Sequence, residues 1–306
     1  MDELRTKLRD YLNIYWLRPE AAIWRVCDWL VLKDVEFKKP ILDLACGDGL
    51  NSYTLFGNKL PSDIDDSVST KNVSPKEFFE DYVDIYNDSE KEFPEFPEAD
   101  FKVDVGLDWK QGLLDKARKL NFYDKLIQHD ANLPLPLEEK SFNTIFSNSL
   151  YWLKNIDSAL AELHKVLKDE GKLILILANP NMNKYNIYNM YNTKWSKFLN
   201  RGRTNNRKSA FDIGVWNEKF EKAGFKVDDF VSYIHPRLTL IQEVGLRPIS
   251  PVIIKMAHSI PAEKRAEIKK DWIDYTEYVV GQMFEEGFFT EPHDDNCYYR
   301  VVLSKK

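Results

Sequence analysis

Three cysteines in 306 residues, Cys27, Cys46 and Cys297, are too few, too scattered and odd in number for a disulfide framework, and they make no zinc-binding pattern. That scarcity fits a reducing compartment, and no metal site is expected. No apolar run reaches the roughly 20 residues that a bilayer-spanning helix needs, so stable membrane insertion is not expected. The opening stretch MDELRTKLRDYLNIYWLRPE mixes charges of both signs and lacks the pattern of a secretory signal. A cytoplasmic location is the expectation. Positive charge is not in excess either: 43 Lys and Arg against 49 Asp and Glu leave a net charge of -6, a field that repels a polyanion, so nucleic acid is not an expected partner. Internal repeats and low-complexity tracts are absent.

What is there is enough apolar material, 43% of residues, for one α/β core with appended helical regions. Residues 1 to 33 carry Leu12, Tyr15, Trp16, Ile23, Val26, Cys27 and Leu30 at helical spacing around an Arg18-Pro19 break. They are expected to form a helical lid within residues 1–36. ILDLACGDGLNS reads as a buried strand, a small-residue turn and a helix start. Residues 61–100 interrupt the strand-helix alternation and read as an insertion. Regular text resumes with FKVDVGLDW as strand, QGLLDKARKL as helix, LIQHDANLPLP and SFNTIFSNSLYWL as strands, a helix over residues 156–168 stopping at Gly171, and KLILILANP as a doubly buried strand. A basic loop over 181–210, the helix and strand around FDIGVWNEKFEKAGF and KVDDFVSYI, a second, helical insertion over 236–290, and a last strand CYYRVVLSKK follow. Alternating strands and helices predict a single-domain α/β fold, Rossmann-like and doubly wound, with a mostly parallel seven-stranded sheet, an N-terminal helical lid and two insertions.

The turn Asp43-Leu44-Ala45-Cys46-Gly47-Asp48-Gly49 resembles the first motif of the class I S-adenosylmethionine-dependent methyltransferases, an acid followed by two spaced glycines that let a ligand approach the main chain. A G-x-G after a strand also suits nicotinamide enzymes, but Ser52 stands where their third glycine would be. The resemblance implies S-adenosylmethionine as cofactor, its ammonium group oriented by Asp43 and its amino-acid end lying along Ala45, Cys46, Gly47, Asp48 and Gly49. Cys46 itself reads as a small packing residue. An acid for the ribose hydroxyls is expected at the end of the second strand. Asp63–Asp66 has the commoner spacing, whereas Asp108 has the strand-acid-helix context and is preferred, with Trp109 beside it; a helix cap would also explain Asp108. Asp130, Ala131 and Asn132 resemble the adenine-binding end of the third strand, and Asn148 the position beneath the sulfonium. Tyr151 and Trp152 are candidates for the substrate-binding floor near the reacting methyl, Tyr151 also as a catalytic residue, or for corner packing. Arg18 would pair with the cofactor carboxylate or form a surface ion pair.

For the methyl acceptor the sequence offers less. His235, following a core strand, is the candidate base, with His129, His258 and His293 behind it. Trp109, Tyr151, Trp152, Tyr185, Tyr188 and Tyr191 could form aromatic walls for an amine. Lys194, Lys197, Arg201, Arg203, Arg207 and Lys208 could hold a phosphate-bearing small molecule or stay solvated, with Arg201 and Arg203 as the preferred contacts. The overall texture resembles methyltransferases of polysaccharide and sugar biosynthesis, implying O-methylation of a sugar, sugar nucleotide or glycolipid precursor. An N- or C-methyltransferase of another metabolite and a catalytically inactive cofactor-binding scaffold are the alternatives. Nothing in the sequence indicates the oligomeric state.

Overall fold

The computed structural model describes residues 2–59, 61–62, 93–200, 208–246 and 249–306. Two helices come first, α1 (Asp2–Tyr15) and α2 (Pro19–Leu32). Leu8, Tyr11, Leu12 and Tyr15 stack at helical spacing on the buried side of α1, and α2 starts with Pro19, whose missing N–H is not needed in the first turn.

β1 (Ile41–Leu44) is buried at every position, as a strand flanked on both edges and covered on both faces must be. It is followed by α3 (Leu50–Leu55), β2 (Val103–Asp108), α4 (Gln111–Lys119), β3 (Tyr123–Gln128) and β4 (Phe142–Ser147). Then come α5 (Ile156–Val166), β5 (Leu167–Ala178), the short helices α6 (Asn181–Lys184), α7 (Ile187–Tyr191) and α8 (Lys194–Asn200), α9 (Ile213–Lys222) and β6 (Phe225–Tyr233). The chain closes with α10 (Pro236–Leu240), a π-helical turn over Ile241–Leu246, α11 (Ser250–His258), α12 (Ala262–Glu285) and β7 (Tyr298–Lys305).

The seven strands form one sheet in the order β3-β2-β1-β4-β5-β7-β6. β1 to β5 pair in parallel, and β7 runs antiparallel to both β5 and β6. This is the mostly parallel, Rossmann-like sheet that the alternation of elements predicts. Six strands therefore end on one side, where the loops after β1 to β6 collect and where ligands bind in such sheets.

Two local expectations change. The helix expected over residues 156–168 gives way to strand at Leu167, because β4 recruits it: Phe142 pairs Leu167 and Thr144 pairs Lys172, a register shift that places Lys168–Gly171 in a bulge. Residues 181–200 are helical in three short pieces rather than a loop. The Asn186 side chain caps α7 by accepting from Tyr188 N–H at 2.9 Å and Asn189 N–H at 3.2 Å, and Thr193 and Ser196 exchange hydrogen bonds at the start of α8. The expected insertion at 61–100 falls mostly outside the described residues. Over 236–290 the described chain is helical, and α12 lies on α1 through Arg5–Glu285 at 2.7 Å and Arg9–Glu277 at 2.6 Å.

Candidate active site

The turn from β1 into α3 holds Ala45, Gly47 and Gly49 at φ of 60°, 60° and 76°, all left-handed. Glycine takes this conformation without strain and alanine does not, so Ala45 is held there by its surroundings. Cys46 N–H donates to the Leu107 carbonyl at 3.0 Å and Gly47 N–H to Asp108 Oδ2 at 3.0 Å, which ties the loop to the end of β2. A Cβ on Gly47 would meet nothing within 4 Å, so the main chain there is open to a ligand.

Asp108 ends β2 with 6% exposure, and its other oxygen, Oδ1, accepts from Lys110 N–H at 3.0 Å. Burial raises its pKa above the usual carboxylate value, while the two backbone donors pull the other way. Asp108 is not itself the N-cap of α4, a position that Lys110 takes; it lies two residues ahead and accepts the Lys110 N–H. Each carboxylate oxygen that accepts one backbone N–H retains acceptor capacity, which fits a pair of ribose hydroxyls.

Asp43, in β1, is 3% exposed. Its Oδ2 accepts from the Tyr123 hydroxyl at 2.7 Å. Burial pushes the Asp43 pKa up to about 6; hydrogen bonds from Ser52 and Tyr123 lower it, and the neighbouring Asp108 charge raises it. Asp48 is likewise raised by burial, and the positive fields of Lys116, Arg25 and Arg18 oppose the rise. Arg18, at the N-cap of α2 with its guanidinium 5.1 Å from the Tyr15 ring centre, thus stands close enough to the loop for its charge to be felt there.

Past β3, Asp130 Oδ1 accepts from the Asn132 backbone at 2.9 Å and from its side-chain amide at 2.7 Å. Asn132 Oδ1 in turn accepts from Lys154 N–H at 2.7 Å, joining this loop to the start of α5. Ala131 is buried, while Trp109 beside Asp108 is 57% exposed, a large aromatic face left to solvent.

The strand expected through FSNSLYWL stops at Ser147, and Leu150–Trp152 form a 3-10 turn. Ser147 Oγ donates to the Leu44 carbonyl at 3.0 Å and so couples the ends of β1 and β4. Asn148, in the loop between, accepts from Ser149 Oγ at 2.8 Å. Tyr151 is buried with its hydroxyl 2.9 Å from that of Tyr298 on β7, whereas Trp152 lies partly exposed.

His235 directly follows β6 at the expected edge but is built into the corner. It is 2% exposed, and its Nδ1 accepts from Arg237 N–H at 3.1 Å, capping α10. A neutral ring that accepts at Nδ1 carries its proton on Nε2. Nε2 lies 3.5 Å from Glu291 Oε1. Burial lowers its pKa. In this arrangement Nδ1 is already engaged as an acceptor in the corner that starts α10. Of the other histidines, His293 packs edge-on against His235 and its Nδ1 accepts from Asp295 N–H at 3.0 Å. Arg201, Arg203 and the competing Asp63–Asp66 lie outside the described residues.

Tyr123, Lys116 and Tyr298 belong to no motif in the sequence, and Ser52 stands there only in place of a third glycine. Tyr123 sits 80 residues from its partner Asp43. The one available signal was a tyrosine opening the strand that follows the ribose-acid helix.

The family model described as a methyltransferase domain matches residues 89–175, the stretch containing β2, α4, β3, β4, α5 and most of β5. A search of the curated proteins gives no match. Among solved structures, the chain is similar to a possible histamine N-methyltransferase from Thermotoga maritima, with 15% identity, 71% of this chain and 79% of that one covered, and a TM-score of 0.42. It is also similar to an S-adenosylmethionine-dependent methyltransferase from Mesorhizobium loti, with 12% identity, 90% and 97% covered, and a TM-score of 0.47. With TM-scores below 0.5, neither says anything about the acceptor here. Residues 89–175 thus match a methyltransferase domain and lie within a seven-stranded, mostly parallel, Rossmann-like sheet.

Proposed function

We propose that the cofactor lies across the C-terminal ends of β1, β2 and β3, and that a small-molecule acceptor is held over β4, β5 and β6. The observation that carries this reading is the pair Gly47 and Asp108: an open main-chain turn tied to a buried carboxylate that has acceptor capacity in reserve. Asp108 would take the ribose hydroxyls, Asp43 the ammonium group, Asp130 and the Ala131–Asn132 backbone the adenine edge, and the exposed face of Trp109 the adenine ring. Ala45, Cys46, Gly47, Asp48 and Gly49 would line the amino-acid end, with Asn148 below the sulfur. Arg18 would meet the carboxylate, so that α1 and α2 act as the lid.

S-adenosylmethionine supplies an electrophilic methyl group on a good leaving group, and the chain's residues orient the acceptor and exclude water. Tyr151 and Trp152 would form the floor there. The leading acceptor class is a hydroxylated one: a sugar, sugar nucleotide or glycolipid precursor, with a phosphate, where present, falling to Arg201 and Arg203. Its support is the overall texture of the sequence, with an Asn- and Tyr-rich, basic stretch after β5. An amine acceptor is the second reading, favoured because His235 is committed to capping and an amine that arrives neutral needs no strong base.

Calorimetric titration with S-adenosylmethionine, S-adenosylhomocysteine and NAD tests the first part, and a methyl-transfer screen of sugar nucleotides and amines tests the second. Binding of the first two alone is expected. Binding of NAD alone would overturn the cofactor assignment, and cofactor binding with no acceptor turned over would favour the scaffold alternative.

A further inference from the structure

The Tyr123 ring occupies a path that two backbone positions leave clear. A Cβ on Gly49, at the head of α3, would sit 2.8 Å from Tyr123 Cε2, and one on Gly106, in β2, would sit 2.8 Å from Tyr123 Cδ1. Contacts that short do not occur between real side chains, so both glycines are needed for the ring to lie where it does. Packing alone would be satisfied by phenylalanine. The hydroxyl adds the 2.7 Å hydrogen bond to Asp43 Oδ2, beside the Ser52 hydroxyl.

We infer that Tyr123 is a positioning residue for the cofactor's ammonium group: it commits Asp43 Oδ2, fixes the plane of that carboxylate and turns its remaining acceptor capacity toward the glycine turn. The inference rests on the proposed role of Asp43. Ser52, whose hydroxyl faces both Asp43 and Tyr123, completes the set. A serine rather than a glycine at position 52 therefore has a chemical use. The ionisable groups around Asp43 are Asp108 from β2, Tyr123 from β3 and Cys46 from the turn itself; β4, FNTIFS, contributes none. Burial and the Asp108 charge disfavour ionisation of Asp43. The hydroxyls of Tyr123 and Ser52 keep the carboxylate charged at neutral pH.

The test is Tyr123→Phe, which keeps the ring, titrated with S-adenosylhomocysteine across about pH 5 to 8 beside wild type, Ser52→Ala and Asp43→Asn. Loss of the bond that orients Asp43, with the ligand's own bond to Asp43 still made, predicts affinity about five- to tenfold weaker at neutral pH. It also predicts that the pH below which affinity falls moves up by roughly one unit, with a smaller shift in the same direction for Ser52→Ala. A purely structural role would lower the melting temperature and leave that pH where it was. If Asp43→Asn weakens binding and Tyr123→Phe changes neither affinity nor the pH profile, the inference fails alone. If Asp43→Asn has no effect, the reading of Asp43 fails and this inference with it.

Discussion

The two ends of the sheet's ligand-facing edge are constructed differently. Along β1, β2 and β3, buried carboxylates accept from backbone N–H groups or a phenol and keep acceptor capacity, as Asp108 and Asp43 do. Near β5, β7 and β6, polar side chains are taken up by the fold: the Asn179 amide donates to the Asn296 main-chain carbonyl, the Tyr151 hydroxyl meets that of Tyr298, and the Tyr233 hydroxyl donates to Asp28 on α2 at 2.6 Å. The first arrangement holds charge out of water in anticipation of a ligand's donors. The second holds the fold. Burial without a full set of partners is costly, so the cofactor end is where the chain gives up stability for binding.

The sharpest way to break that contrast is Asp108→Asn. An amide cannot accept with its nitrogen, so one backbone tether is lost along with the charge that would meet the ribose. Charge-assisted hydrogen bonds contribute about 1.5–3 kcal/mol each, and two of them predict at least a hundredfold loss of S-adenosylhomocysteine affinity by calorimetry. A loss under about threefold would place the ribose elsewhere.

Asp43 gives a pH signature. Its pKa in the folded chain is about 6 against an ordinary 3.8, so the folded state retains a proton that the unfolded chain has released. Its contribution to stability is fully present below the unfolded value and is lost as pH rises through about 6. Wild type minus Asp43→Asn should therefore show a stability difference that falls between about pH 4 and 6 and is flat above. Binding of an ammonium beside Asp43 favours the charged form, so titrating S-adenosylhomocysteine near pH 6 should release a fraction of a proton. Heats measured in buffers of different ionisation enthalpy would read it. No proton release would mean that the ammonium sits away from Asp43.

Much of the cofactor end was legible in sequence because it is local. Gly47, Gly49 and Asp108 are announced by a strand, a turn and a helix within a few residues of each, and the apolar runs of β1 and β5 mark buried strands. What was not legible depends on register and on distant packing. Tyr123 opens β3, and only the β2–β3 pairing brings it past Gly106 to Asp43. β5 begins at Leu167 rather than after Gly171 because pairing with Phe142 overrides the end of a helical pattern. His235 was read correctly as following a core strand, but its Nδ1 is taken by Arg237 N–H two residues on, a bond no sequence pattern announces.

That capping bond makes the acceptor end testable. Asparagine caps helices as well as most residues do, and replacing a good cap by alanine costs about 1 kcal/mol. His235→Asn should thus retain most of the stability that His235→Ala loses in thermal melts, and with any acceptor found it should retain turnover. Turnover abolished in His235→Asn at unchanged melting temperature would instead make His235 the base and draw the acceptor toward β6.

The smallest expected effect concerns Ala45, the one non-glycine of the three left-handed positions in the turn. A left-handed alanine is disfavoured by roughly 1–2 kcal/mol. Glycine in its place gains that back less the roughly 0.4–1 kcal/mol by which it loosens the unfolded chain. Ala45→Gly should therefore stabilise by between about zero and 1.6 kcal/mol, a rise of at most roughly two to three degrees in melting temperature for a chain of this size. Because the gain comes from relieved backbone strain and no side-chain donor or acceptor changes, cofactor affinity should hold within about twofold. If Ala45→Gly instead weakens binding severalfold while raising the melting temperature, the strained alanine is part of how the turn is preset for its ligand, and the cofactor end holds strain as well as charge.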